Sequence, residues 1–454
     1  MHKRLVIISI ICIAIAGYFW TQSRYPALNE KAMMSSRLET NRLSFNTKFD
    51  IDENASFTNR ILLGTANWAY TNKQGMTFGV VFGGAFLTLL QILPPSKRKN
   101  GFVNSLKGLF TGAPLGVCAN CVAPIGQSMY ESGSRIETVL ATMISSPTMN
   151  VIVLTMVFSL FPFSFALIKV IATLILILVV IPWVTKILFS KENDIKRVKE
   201  VEVSVDEVNK VNSESWITAS ITIIKFFAKN LWYLIYKTVP LMLVAGFLGI
   251  VLLEFIPLES FVFLKESPLS LILVALVSTV IPAPITFDVI VASALNTAGL
   301  SSSLTMVFLI ASGTYSIYPM FILWKSISKK VAISVFIAVM FTAITAGISV
   351  NAYNNYNKEA TLQIFDDYFE STGAEDYSPT QSLEMIIRDS ISKTIPYYQN
   401  YDGFMPMDSI YFLGLAMELD TSIQVVDLDQ FIDKSQTEIS FYRYFDANSV
   451  VNLE

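Results

Sequence analysis

The sequence predicts an all-α polytopic membrane protein with two broken re-entrant hairpins and a small soluble C-terminal domain. Three observations carry this reading. First, the chain of 454 residues is 53% hydrophobic and only 15% charged, with a mean hydropathy of +0.52, where soluble domains are about 25% charged. Second, two apolar stretches, 108–130 and 269–298, are each interrupted by paired prolines, Pro114 with Pro124 and Pro282 with Pro284. Proline removes a backbone donor, and such breaks persist at bilayer depth only where protein or a water-filled cavity satisfies the freed backbone. Third, lysines and arginines gather at particular ends of the apolar runs, which orients them.

Charge divides the chain. Residues 352–454 hold 18 acidic and 5 basic side chains, a net of −13, against +10 for residues 1–351. A basic membrane part is joined to an acidic tail. No basic cluster with interleaved aromatics suggests nucleic acid. His2 is the single histidine, so His-based triads and His-rich zinc sites are excluded by inventory. The cysteines are Cys12, Cys118 and Cys121, and none lies in the polar segments, so no disulfide framework joins them.

Taken in order, residues 1–21 have a basic start and a short apolar run. Ala14-Ile15-Ala16 before Gly17 fits a cleavage site, so a signal peptide and a retained signal-anchor both remain open. Residues 22–75 read as a polar extracytoplasmic segment. The first transmembrane repeat, 76–188, opens with a span from Met76 to Leu93, followed by Lys97, Arg98 and Lys99 on the cytoplasmic side. If 108–130 crossed fully, the lysine-rich loop after Lys186 would fall outside. A dip and return places that loop inside, with the two following runs turning outside at Phe161-Pro162-Phe163. Residues 189–228 then form a solvated cytoplasmic linker.

The second repeat, 229–350, begins with a span from Leu231 to Ile256, in which Lys237 snorkels. Residues 269–298 dip again, this time from outside. A span from Ser303 to Trp324 leads to the cytoplasmic turn at Lys325, Lys329 and Lys330, and Val331 to Val350 exits. The halves align without gaps at an offset of 166 residues, so that Pro147 meets Gly313, Thr148 meets Thr314 and Asn150 meets Ser316. The derived orientations are opposite, which is the pattern of an inverted-repeat transporter. Residues 351–454 form an acidic extracytoplasmic domain, helical over 382–392 and 407–419 and strand-like over 422–426.

Candidate site residues lie at the breaks. Cys118 and Cys121 share a helix face. They fit a soft ligand pair for a thiophilic metal or metalloid, a redox pair, or small packing residues. Ser145, Ser146, Pro147, Thr148 and Asn150 set polar groups in an apolar run, with Thr286, Asp288, Thr314, Tyr315 and Ser316 as counterparts. Such groups face a cavity or a neighbouring helix. Asp288 is the one carboxylate in either broken stretch, and is either a proton-coupling group or a hydrated interface residue. No P-loop of the G-x-x-x-x-G-K-S/T type is present, so coupling is expected from an ion gradient.

The run PLGVCANCVAPIGQSMYESGSRIETVLATMISSPTMN resembles the first-repeat signature of the predicted permeases that include the organoarsenical efflux permeases. Pro114-Leu115, Cys118, Pro124, Gly133 and Ser146-Pro147-Thr148-Met149-Asn150 match it. The second family cysteine falls on Asn120 and the glycine on Cys121. The likeness covers about residues 70–350 and implies a permease. A secondary efflux transporter is therefore expected in the cell (inner) membrane, its solute small, with a soft metal or organometalloid as the candidate class. Cys118, Asn120, Cys121, Pro147, Thr148, Asn150, Thr314 and Ser316 would bind substrate, and Asp288 would couple the proton. Catalytic residues, resident metal and cofactors are not expected. Partners are membrane lipid, a small solute and a proton, with a homo-oligomer left open. A membrane thiol oxidoreductase and a binding protein working through its acidic domain are the competing readings.

Overall fold

The computed structural model describes residues 2–26, 48–49, 51, 55–93, 100–188, 215–255 and 258–372, and every regular element among them is helical. Four helices among the described residues are long and apolar enough to cross a membrane, or six if each of two bent pairs counts as one span. The 189–214 tract and the segments expected at 382–392, 407–419 and 422–426 lie outside the described residues.

Helix α1 (His2–Phe19) runs on through a π turn, Trp20–Arg24. The short apolar run of the sequence is therefore the body of a longer helix. Its Ile8, Cys12 and Phe19 are buried, and Phe19 stacks on Phe78 of α2 with ring centroids 3.9 Å apart.

Helix α2 (Phe57–Leu90) has 34 residues and is capped by Ser56, whose side chain accepts from the Asn59 amide. The span expected from Met76 is only its second half. The first half is polar enough to hide from a hydropathy average, yet Asn67, Trp68 and Asn72 are buried there. Asn67 bonds the Lys48 and Phe49 backbone and Asn72 the Trp68 carbonyl, while α2 as a whole packs on α9 (Trp216–Phe255), which runs antiparallel to it. Arg60 pairs with Glu254 at 2.6 Å, Trp68 meets Gly246, and Asn230 Nδ2 donates to Thr88 Oγ1 at 2.9 Å. Helix α9 starts at Trp216, so the linker expected to reach residue 228 gives way to helix twelve residues earlier. The run WITASITIIKFF has the apolar density for it.

The first broken stretch is α3 (Gly101–Gly112), a 3-10 turn (Ala113–Leu115), and α4 (Ala119–Glu131). Gly116 takes φ 59 between them, a left-handed turn in which a side chain would be strained. Helix α5 (Ile136–Thr148) lies between the two arms. Thr138 Oγ1 donates to the Asn104 carbonyl at 3.0 Å and Thr142 Oγ1 to the Gly108 carbonyl at 3.2 Å, so α3 runs parallel to α5. Val117 lies beside Ser146 and Gly126 beside Met143, so α4 runs antiparallel. The chain therefore enters along α3, turns, and returns along α4 to the end it came from, where Gly101 faces Pro182 and Glu137. Small residues at the α3–α5 contact let the backbones approach closely, as in membrane helix pairs.

Helix α5 continues into α6 (Val151–Leu160) through a 45° bend. After the turn at Phe161-Pro162 come α7 (Phe163–Ile175), a π turn, and α8 (Ile181–Leu188). The order then recurs. The second broken stretch is α10 (Pro268–Val280), an extended break, and α11 (Phe287–Thr297). Helices α12 (Ser302–Thr314) and α13 (Ile317–Ser326) bend by 44°. The single span expected from Ser303 to Trp324 is thus two half-helices. Last comes α14 (Lys329–Thr372), which passes through the boundary expected at 351 without a break.

Candidate functional site

The breaks of the two halves meet in the bundle interior. Asn120 is the second residue of α4 and is 1% exposed. Its Nδ2 donates to the Ala283 carbonyl in the α10–α11 break at 3.3 Å. Its Oδ1 accepts from Ser316 Oγ, at the α12–α13 break, at 2.7 Å. One side chain of the first half thus joins both breaks of the second. Trp68 adds a bond from α2, with Nε1 donating to the Pro282 carbonyl at 2.8 Å.

Cys118 is the N-cap of α4 and its sulfur accepts from the Cys121 amide at 3.3 Å. The two cysteines are buried and form a disulfide within one helical turn. They lie against Gly75 and Gly79 of α2, where a Cβ would collide with Cys121.

The remaining expected residues divide by what their polar atoms touch. Asn150 caps α6, accepting from the Val153 amide at 3.0 Å, while its Nδ2 donates to the Ser146 and Pro147 carbonyls at 2.7 and 3.2 Å. It therefore closes the α5–α6 break. Thr148 Oγ1 donates to its own helix, at the Ile144 carbonyl. Ser146 Oγ stitches the first hairpin tip to α5, donating to the Val117 carbonyl at 3.2 Å and accepting from its amide at 3.3 Å. Thr314 Oγ1 is buried and has no partner among the described residues. Thr286 takes φ 66, a left-handed conformation for a non-glycine residue, at the start of α11. A strained backbone of this kind marks positions that the surrounding structure holds in place.

Asp288 is the second residue of α11, buried at 4% exposure, and packs on Gly313. The sequence reading passed over its counterpart, Lys169. That lysine sits in α7 at 1% exposure, donates from Nζ to the Thr148 carbonyl at 2.6 Å, and lies within Coulombic range of Asp288. The signal was present in the sequence as a lone lysine inside a long apolar run. At the 166-residue offset Asn120 corresponds to Thr286, Asp288 to Val122, and Lys169 to Val335 of α14. Each half thus carries a buried charge that the matched position of the other lacks, an acid in the second and a base in the first, and the two lie within Coulombic range of each other.

Apolar spans, bent helix pairs and half-length hairpins make this a multi-pass membrane protein. Residues 88–352, more than half of the chain, match the family described as predicted permease, ArsP_1, and the chain belongs to that family. Comparison with curated proteins and with solved structures returned no match.

Proposed function

We propose that this permease is a secondary efflux transporter for a small thiophilic solute, a soft metal or an organometalloid, and that it works in the cell (inner) membrane. The observation that carries the reading is the Asn120 junction, where polar groups from both halves converge beside a cysteine pair in an otherwise apolar bundle. Polar groups are costly to bury in hydrocarbon and are kept there where they face one another or a solute, so their convergence from both halves supports a solute path at this junction. Reduced Cys118 and Cys121 supply soft donors. Among the described residues no group of three or more His, Cys, Asp or Glu exists to hold a resident metal, so a bound ion would complete its coordination with its own ligands.

Two inverted repeats account for the architecture. The element order recurs, α5–α6 and α12–α13 are displaced by 166 residues, and the leading helices α2 and α9 run antiparallel. In such folds the site lies where the discontinuous helices meet, and rocking of the halves exposes it to each side in turn. Asp288 takes and releases the coupling proton, with Lys169 as the counter-charge that shields it when ionised. The acidic domain after α14 lies outside the cytoplasm on this topology.

Proteoliposome transport driven by an imposed pH gradient tests the reading. Cys118→Ser with Cys121→Ser should abolish transport of a soft solute at unchanged protein yield, and Asp288→Asn should remove the dependence on the gradient. Parental transport in both would reject the site. The disulfide in the structure favours one second reading, a membrane thiol oxidoreductase. In that case the purified protein would turn over a thiol substrate and move no solute.

A further inference from the structure

Among the described residues Arg24 is a buried cation whose Nε has no partner. It is 6% exposed and lies at the end of the α1 π turn. Its guanidinium lies over the Phe19 ring, 4.5 Å from the centroid. A buried arginine in a membrane bundle usually pairs with an anion or a carbonyl, and a face-on aromatic satisfies only part of that need.

Its position shows what it waits for. Trp20, one turn earlier, donates from Nε1 to the Pro114 carbonyl at 3.0 Å and lies over Gly116. Ser23 Oγ bonds Gln74 Oε1 at 3.1 Å. These contacts seat the end of α1 on the tip of the first hairpin. There a Cβ built on Gly75 would stand 2.7 Å from Cys121 Sγ and 3.5 Å from an Arg24 terminal nitrogen. The guanidinium and the sulfur therefore converge on the same face of Gly75, which lets both approach because residue 75 has no side chain. The residues matching the permease family begin at 88, so this cation is brought to the hairpin by chain outside the matched region.

We propose that Arg24 and the Cys118–Cys121 pair form one composite site for a solute that carries an anionic group beside its thiophilic centre. The guanidinium takes the carboxylate or oxyanion, and the reduced thiols take the soft atom. This rests on the thiophilic-solute reading above, which by itself would accept a neutral solute.

The test compares two reagents that differ by one carboxylate, phenylmercury and p-mercuribenzoate. Both are applied to the reduced full-length protein in detergent, in a Cys12→Ser background, and the rate of thiol modification is followed. The parent should react about tenfold or more faster with p-mercuribenzoate, the size expected of one charge-assisted contact. Arg24→Gln should bring the two rates together without changing that of phenylmercury, and Arg24→Lys should keep part of the preference. Benzoate should slow the carboxylated reagent only, and should raise the unfolding temperature of the parent but not of Arg24→Gln.

Equal rates in the parent would overturn the anion site and leave the thiophilic reading standing. So would an Arg24→Gln variant that slows both reagents alike, because that result makes Arg24 a partner of the Cys121 thiolate. If neither reagent reaches the cysteines, the thiophilic reading fails. The Arg24-dependent shift with benzoate then decides the anion site alone, and no shift rejects it.

Discussion

Replacing Lys169 by methionine removes a buried base within Coulombic range of Asp288 at nearly constant shape. Two costs follow. The Thr148 carbonyl loses a charged donor at 2.6 Å, worth about 1.5–3 kcal/mol. Asp288, 4% exposed, also loses an opposite charge that favours its ionised form. Lys169→Met should therefore destabilise by about 2 kcal/mol or more. Adding Asp288→Asn removes the stranded charge and should recover part of that loss, a coupling that only neighbours show. Urea unfolding in mild detergent, followed by tryptophan fluorescence, gives the cycle. A Lys169→Met variant as stable as the parent, or a double variant no better than the single, would refute the argument that the two charges compensate each other.

Three further outcomes are expected. Asn120→Ala breaks the bonds to Ala283 and Ser316 and should lower transport at least tenfold, since about 1.4 kcal/mol is a factor of ten and two buried contacts exceed it; initial rates in proteoliposomes measure it. Gly108→Val drives a side chain into Ala141 and the Thr138 carbonyl and should cost about 1–3 kcal/mol by overpacking, read as a loss of detergent-stable protein on size exclusion. Glu200→Cys and Asn400→Cys, labelled in intact cells with an impermeant maleimide, should react from opposite sides; labelling from one side would reject the topology.

Backbone punctuation was the readable part of this fold. Pro114 and Pro282 announced both breaks, and the gapless match of Thr148 with Thr314 located the second pair of bent helices. Hydropathy could not give the angle at Tyr315-Ser316, because it counts apolar length and is blind to direction. Helix α2 escaped it for a different reason. Its first half is polar by composition but buried through contacts with α9 and Pro282 that are distant in sequence. At the site, Asn120 was legible as a polar residue in an apolar run. Asn150 was legible in the same way, but its polar atoms turn out to close a helix break. Lys169 and Arg24 were not read as site residues. One was absorbed into a span and the other into a polar segment, and only tertiary packing brings each to a hairpin.

The displacement of 166 residues between α5–α6 and α12–α13 also carries a picture of the protein at the far end of its cycle. On the proposed inverted relationship, the opposite-facing state is obtained by giving each half the shape the other now has. The latch from Asn120 to Ser316 then opens, and its mirror image, from Thr286 to Asn150, closes. The first latch is a neutral amide on a hydroxyl. The second sets the Thr286 hydroxyl, which now donates to the Ile285 carbonyl, against an amide already committed to the α5–α6 break, and closes only once both let go of their present partners. The two ends of the stroke would thus be unequal in the bonds they must first break, and this inequality would bias an otherwise symmetric hinge.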